Sequence, residues 1–111
     1  LTGSLGMLPS ASLGAPMALP FGHALCAAYV DEVVLIDDDT ICAGMVAFQQ
    51  EAKLAVEPAA GAALAAVLGP LRQQLQGKRV GVIVCGANID ADTYLRLMAQ
   101  GCSRFDAMIA G

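Results

Sequence analysis

Apolar positions along this chain change their period several times, and each change predicts an element. Val33–Ile36 and Val80–Val84 are short apolar runs rich in β-branched residues, and both read as buried strands. A run such as Val80–Val84 suits a central parallel strand covered by helices on both faces. It ends abruptly in Cys85-Gly86-Ala87-Asn88, which supplies the first polar side chains beyond the strand. Open α/β sheets bind their ligands just past the carboxyl ends of such strands, so the chemistry is expected in this loop.

Helical spacing fills the interval between the two runs. Asp37-Asp38-Asp39-Thr40 offers an N-cap and negative charge where the helix dipole favours it. Ile41, Met45, Phe48 and Ala52 then recur on one face, with Gln49, Gln50, Glu51 and Lys53 on the other. Capping explains the acidic triplet better than a metal site does. Pro58 fits the first position of a second helix through Ala59–Leu68, whose small residues allow a neighbour's backbone to come close. Gly69-Pro70 stops it, Leu71–Gln76 adds a turn or two of helix, and Gly77-Lys78-Arg79 turns into the second strand. After the Cys85 loop, Asp90 or Asp92 caps a last helix with Tyr94, Leu95, Leu97 and Met98 as its apolar contacts. Gly101 is expected to end it, leaving residues 102–111 as a tail. At the other end, Phe21–Tyr29 predicts a short helix. Leu1–Pro20 carries Gly3, Gly6, Pro9, Gly14, Pro16 and Pro20, which predicts an irregular segment. The resulting order is that of an α/β fold, a partial parallel sheet with flanking helices. Two strands make a poor sheet, so further strands are expected from elsewhere.

Composition sharpens this picture. Of the 111 residues 57% are hydrophobic and only 14% charged, against roughly 25% charged in an ordinary soluble domain. Mean hydropathy is +0.63. Such an excess predicts surface covered by more chain or by a partner subunit. The chain also starts at Leu1 without an initiator Met, as an excerpt would. A net charge of −4 with scattered cations leaves no basic stripe and excludes a nucleic-acid binder. No targeting leader is expected in Leu1–Leu8, and the apolar run Pro58–Gly69 is too short to span a bilayer, so no membrane association is expected. Cys26, Cys42, Cys85 and Cys102 form no C-x-x-C pair and no metal site is expected; apolar surroundings predict reduced thiols in a cytoplasmic protein, buried at Cys26, Cys42 and Cys102, while Cys85 stands apart by its position.

Two segments together carry a resemblance. Lys53–Leu68, containing Val56-Glu57-Pro58-Ala59, and Gly77–Asp90, containing Cys85-Gly86-Ala87-Asn88-Ile89-Asp90, look like the C-terminal third of the threonine/serine dehydratases. These are pyridoxal-phosphate enzymes of fold type II, related to the tryptophan synthase β chain. The likeness covers roughly Gly14 to Gly101. It implies that residues 21–101 are the C-terminal part of the large domain of such an enzyme, preceded by the irregular 1–20 and followed by the tail 102–111. It implies pyridoxal 5'-phosphate as cofactor, a hydroxy-amino acid as substrate, and β-elimination to a 2-oxo acid and ammonia. By resemblance Cys85 faces the pyridine nitrogen, Gly86 lets the backbone pass near the ring, Asn88 holds the loop, and Glu57 lies near the same ring edge. A neutral thiol draws less charge into the pyridine ring than a carboxylate would, which suits a β-hydroxyl that leaves promptly.

The resemblance also marks what is missing. The family's Schiff-base lysine and phosphate-gripping glycine loop lie in its N-terminal part, and neither Lys53 nor Lys78 matches that lysine motif. The 111 residues alone are therefore expected to be inactive, with the N-terminal part of the same enzyme as their partner. The parent is expected to be a homo-oligomer of the short form that has no regulatory domain. Leu8-Pro-Ser-Ala-Ser12 departs from the family pattern. Three other readings compete: a non-catalytic remnant or packing module, a small nucleotide-binding module without G-x-G-x-x-G or P-loop lysine, and a redox role for Cys85 without a resolving partner.

Overall fold

A computed structural model describes residues 2–4, 13 and 17–111. Strand β1 (Thr2–Ser4) pairs in parallel with β2 (Val34–Ile36), in the register Thr2 to Val34 and Ser4 to Ile36. Helix α1 (Pro20–Tyr29) lies between them in sequence, with Pro20 in its first turn, where a missing N–H costs nothing. No residue of α1 is buried. The predicted strand 33–36 is present, shortened by one residue. It is buried only at its end, because Ile36 is 4% exposed while Leu35 points outward at 59%. The irregular segment expected over Leu1–Pro20 is corrected at both ends, by β1 and by the start of α1. The Leu8–Ser12 departure lies outside the described residues.

Helix α2 (Asp38–Ala47) is the centre of the molecule. Asp37 caps it, its Oδ1 accepting the Thr40 N–H at 2.8 Å. Every residue from Thr40 to Ala47 is buried. One apolar face was expected; the structure buries all of them, because α3 (Pro58–Leu68) packs on one side and α5 (Ala91–Ala110) on another. The polar residues assigned to an outer face lie instead in a π-helical turn, Phe48–Ala52, that extends α2 into solvent. Lys53 ends that turn in the left-handed region at φ 57°, and its Nζ donates to the Gln50 carbonyl at 2.6 Å.

Small residues allow this packing. Between α2 and α3, Gly44 meets the Gly61 carbonyl so closely that a Cβ on Gly44 would overlap it, and a Cβ on Gly61 would lie 2.6 Å from Met45 Cγ. Around the crossing, Cys42, Met45, Phe48, Val56, Ala60 and Leu97 form one cluster. Ile36, Ile41, Ala62, Ala65 and Ala66 form another beneath β2. Gly69 closes α3, and the short α4 (Arg72–Leu75) leads to a turn at Gly77 with φ +77°.

Two expectations fail beyond this point. Val80–Val84 is not a buried strand: no residue from Arg79 to Asp90 has regular structure, and Ile83 is 79% exposed. An extended segment becomes a strand only when a neighbour pairs with its N–H and C=O groups, and no described strand pairs with this one. Gly101 does not end the last helix. Capped by Asp90 (Oδ1 to Thr93 N–H, 2.9 Å), α5 runs through Ala110 and absorbs the expected tail. Gly101 lies one turn from Leu97 and one from Phe105, and these three are the buried residues of α5. Its missing side chain lets α5 rest on the backbone of Cys42 and Ala43. No helix among the described residues is long and apolar enough to cross a membrane.

Candidate functional site

The segment between the two expected strands brings Glu57 and the Cys85 loop together. Val56 is buried and Pro58 starts α3, so Glu57 is held between two fixed neighbours. Its backbone N–H donates to the Gly86 carbonyl at 3.2 Å. Its carboxylate Oε2 accepts the backbone N–H of Asn88 at 2.9 Å, across 31 residues of sequence. Gly86 lies flat against that carboxylate, and a Cβ there would come within 3.3 Å of Glu57 Cδ and Oε2. Within the loop, Ile89 N–H closes a tight turn onto the Ala87 carbonyl at 2.9 Å. Asn88 was expected to hold the loop through its side chain. The bond to Glu57 comes from its backbone instead.

Glu57 and Cys85 line one cavity of ≈ 610 Å³, within the usual range for small-molecule sites. Its floor is the α3 face formed by Ala59, Ala63, Ala66 and Val67. Gly81, Val82 and Ile83 form a second wall, and Glu32 and Val34 a third. Cys85 is exposed to this space. Cys26 and Cys102 are exposed as well, so the expectation of buried thiols holds only for Cys42, whose burial pushes its thiol up to about 11. All four cysteines are free.

The acidic triplet is structural. Asp37 caps α2, and Asp39 accepts from Gln100 Nε2 at 2.7 Å, tying α2 to α5. The Thr40 backbone N–H holds the Asp37 carboxyl below its ordinary value, with Arg104 adding to the effect. No group of His, Cys, Asp and Glu able to hold a metal ion occurs among the described residues. Sequence reasoning missed Glu32 as a lining residue. It precedes β2, the end of a strand where the ligand rule does not look.

Residues 8–86 match the model of a family described as pyridoxal-phosphate dependent enzymes. The chain belongs to that family. It is 43% identical over 90 residues to the phenylserine dehydratase of Ralstonia pickettii, covering 81% of this chain and 28% of that enzyme. Over 69 residues it is 39% identical to an L-threo-3-hydroxyaspartate ammonia-lyase of a Pseudomonas species, covering 62% of this chain and 21% of the relative. The L-threonine ammonia-lyase of Thermotoga maritima is 33% identical over 73 residues, 66% of this chain and 18% of its own. The chain thus spans 28% or less of these relatives' lengths. The resemblance to fold type II threonine/serine dehydratases is borne out, and with it the α/β class and the family's cofactor, pyridoxal phosphate.

Of the residues that the likeness assigns to the cofactor, Cys85 and Glu57 line the cavity together with apolar Val82 and Ile83, whereas Gly86 and Asn88 are not among its lining residues. Neither Lys53 nor Lys78 lines the cavity.

Proposed function

We propose that this chain is the C-terminal part of the large domain of a pyridoxal-phosphate-dependent ammonia-lyase acting on a 3-hydroxy-amino acid. The observation that carries the reading is the meeting of Glu57 with the Cys85–Asn88 loop at the edge of one cavity. Names of the relatives support the substrate class, since threonine, phenylserine and 3-hydroxyaspartate share a hydroxyl on the carbon next to Cα.

The bound cofactor supplies an electron sink for the Cα–H bond of an amino acid. Cys85 is the group we assign to the pyridine nitrogen. A thiol there would be a weaker partner than a carboxylate, which would suit a β-hydroxyl that leaves promptly once the Cα proton is lost. Gly86 leaves room for the ring edge, and Asn88 and Glu57 keep the loop in place. The Cα proton and the β-hydroxyl would depart as water, and the resulting enamine, after tautomerising to the imine, would take up a water molecule to give the 2-oxo acid and ammonia.

Residues 1–111 do not complete this reaction alone in our reading. Lys53 is engaged with Gln50 at the end of α2, and Lys78 lies in the turn before the exposed segment. The lysine that holds the cofactor and the grip on its phosphate come from the rest of the enzyme. The three exposed free thiols support a reducing, cytoplasmic setting. Exposed Phe21, Tyr29, Val33 and Ile83 support burial against further chain or a second subunit.

The test is an assay of the full-length protein loaded with cofactor and offered threonine, serine, phenylserine and 3-hydroxyaspartate. A 2-oxo acid and ammonia should appear in equal amounts with at least one of them. Bound cofactor with no product from any of the four would overturn the reading.

A further inference from the structure

We infer that Glu57 is a positioning residue, which fixes the Cys85–Asn88 loop by accepting a backbone hydrogen bond and not by capping its own helix or moving a proton. The inference rests on the proposed cofactor site only for its functional consequence.

Glu57 occupies the N-cap position of α3, with the extended backbone of such a residue (φ −77°, ψ 163°), yet its side chain makes no capping bond. Ala60 and Gly61 N–H both donate to the Glu57 backbone carbonyl at 3.1 Å and so do not draw on its side chain. The carboxylate is thereby released to reach the loop 31 residues later and accept from Asn88. With the Glu57 N–H bonded to the Gly86 carbonyl, one residue grips the loop at two points, on either side of Ala87.

Val82 and Ile89 pack the two flanks of the loop against the core, and the two anchors act on the exposed stretch between them. Cys85, Ala87 and Asn88 are exposed, and the turn bond from Ile89 to Ala87 is local. Cys85 immediately precedes the anchored Gly86, so the direction of its thiol follows from where that carbonyl is pinned. Gly86 has no positive φ, so an alanine there is free of backbone strain. It would instead push on the carboxylate, 3.3 Å away. The clamp therefore requires an acceptor at position 57, and a side chain at position 86 would crowd it. Charge strengthens the bond, but an amide oxygen meets the geometric requirement.

Residue-resolved hydrogen–deuterium exchange on the full-length protein tests this, with E57Q, E57A and G86A. Loss of a bond between a backbone N–H and a charged acceptor should speed exchange of the Asn88 amide by about tenfold or more in E57A. G86A should accelerate it in the same direction, and E57Q should stay within about threefold of the native rate. Protection at Leu97 in α5 reports that each variant is folded. If E57A does not fold, G86A carries the test, because it leaves Glu57 in place. An unchanged Asn88 rate in folded E57A or G86A overturns the clamp, as does an E57Q rate equal to that of E57A, which would make charge the essential property. In the cofactor-loaded protein, the visible absorption band should move in E57A and hold in E57Q. Faster exchange with no change in that band would keep the clamp and overturn the cofactor site.

Discussion

Replacing Gly101 by alanine adds one methyl group at the point where α5 lies on α2. A Cβ there would overlap the Cys42 carbonyl carbon and lie 2.5 Å from its oxygen and 2.8 Å from Ala43 N. These are backbone atoms in the middle of a buried helix, so no side chain can rotate out of the way. Ordinary contact begins near 3.4 Å, so the two helices must part by about 1 Å, and a gap of that size forfeits a quarter to a half of the dispersion energy at each contact it opens. Leu97 and Phe105, which carry the rest of the interface, lose contact with Cys42, Met45, Val46 and Ala47. Overpacking of this kind costs about 1–3 kcal/mol. Removing glycine from a helix interior returns up to about 1 kcal/mol. With an immovable neighbour the first effect wins, and a net loss of about 1 kcal/mol is expected. Thermal and denaturant unfolding of the full-length protein, followed by circular dichroism, should show it as a drop of roughly 2–4 °C. Gly22 in α1 is the control, because a Cβ there meets nothing within 4 Å. Gly22→Ala should be neutral or slightly stabilising. A Gly101→Ala protein as stable as Gly22→Ala would refute the close crossing and, with it, the account of why α5 does not stop at residue 101.

Other consequences can be checked separately. Asp37→Ala should cost about 1 kcal/mol at neutral pH through loss of the α2 cap. Because the folded-state pKa of Asp37 is depressed, its contribution is complete above its unfolded value of about 4 and fades as pH falls through the folded value. Asp37→Asn should therefore unfold with a shallower acid dependence below about pH 4, and an identical acid limb would contradict the assignment. Cys42 is buried, and desolvation with Asp38 and Asp39 nearby raises its pKa to about 11. Iodoacetamide at pH 8 should modify Cys102 and leave Cys42 untouched until the protein is denatured, as read by peptide mass spectrometry. The Tyr94 hydroxyl is buried without a hydrogen-bond partner among the described residues, and burial raises its pKa. Tyr94→Phe should thus be neutral or stabilising by up to about 1 kcal/mol; a clear loss in denaturant midpoint would show that the hydroxyl is in use.

Local chemistry was legible wherever neighbours in sequence decide it. Asp37 and Asp90 are followed three residues later by the N–H groups they cap, and Pro58 and Gly77 sit where ring geometry and a positive φ require them. The two-segment likeness around Glu57 and Cys85 was legible too, as a pair of motifs at a set spacing, although nothing in the sequence states the distance between them in space. What stayed hidden depended on partners. An apolar run like Val80–Val84 has the composition of a buried strand, but hydrogen-bonded neighbours make a strand, and this one has none among the described residues. Gly101 has the look of a terminator, yet a glycine every other helix would find costly is favourable where a second backbone needs its empty side.

The sequence by itself thus determined the helix starts, the family and the identity of the residues at the cavity edge, since each is a matter of residue type at short range or of a motif recognised whole. Only the tertiary structure decided that α2 is buried on every side, that α5 runs on to Ala110, and that the Glu57 carboxylate turns from its own helix to Asn88. In each of those cases the free energy lies in contacts between segments tens of residues apart, and a one-dimensional pattern holds no record of which backbone comes near which.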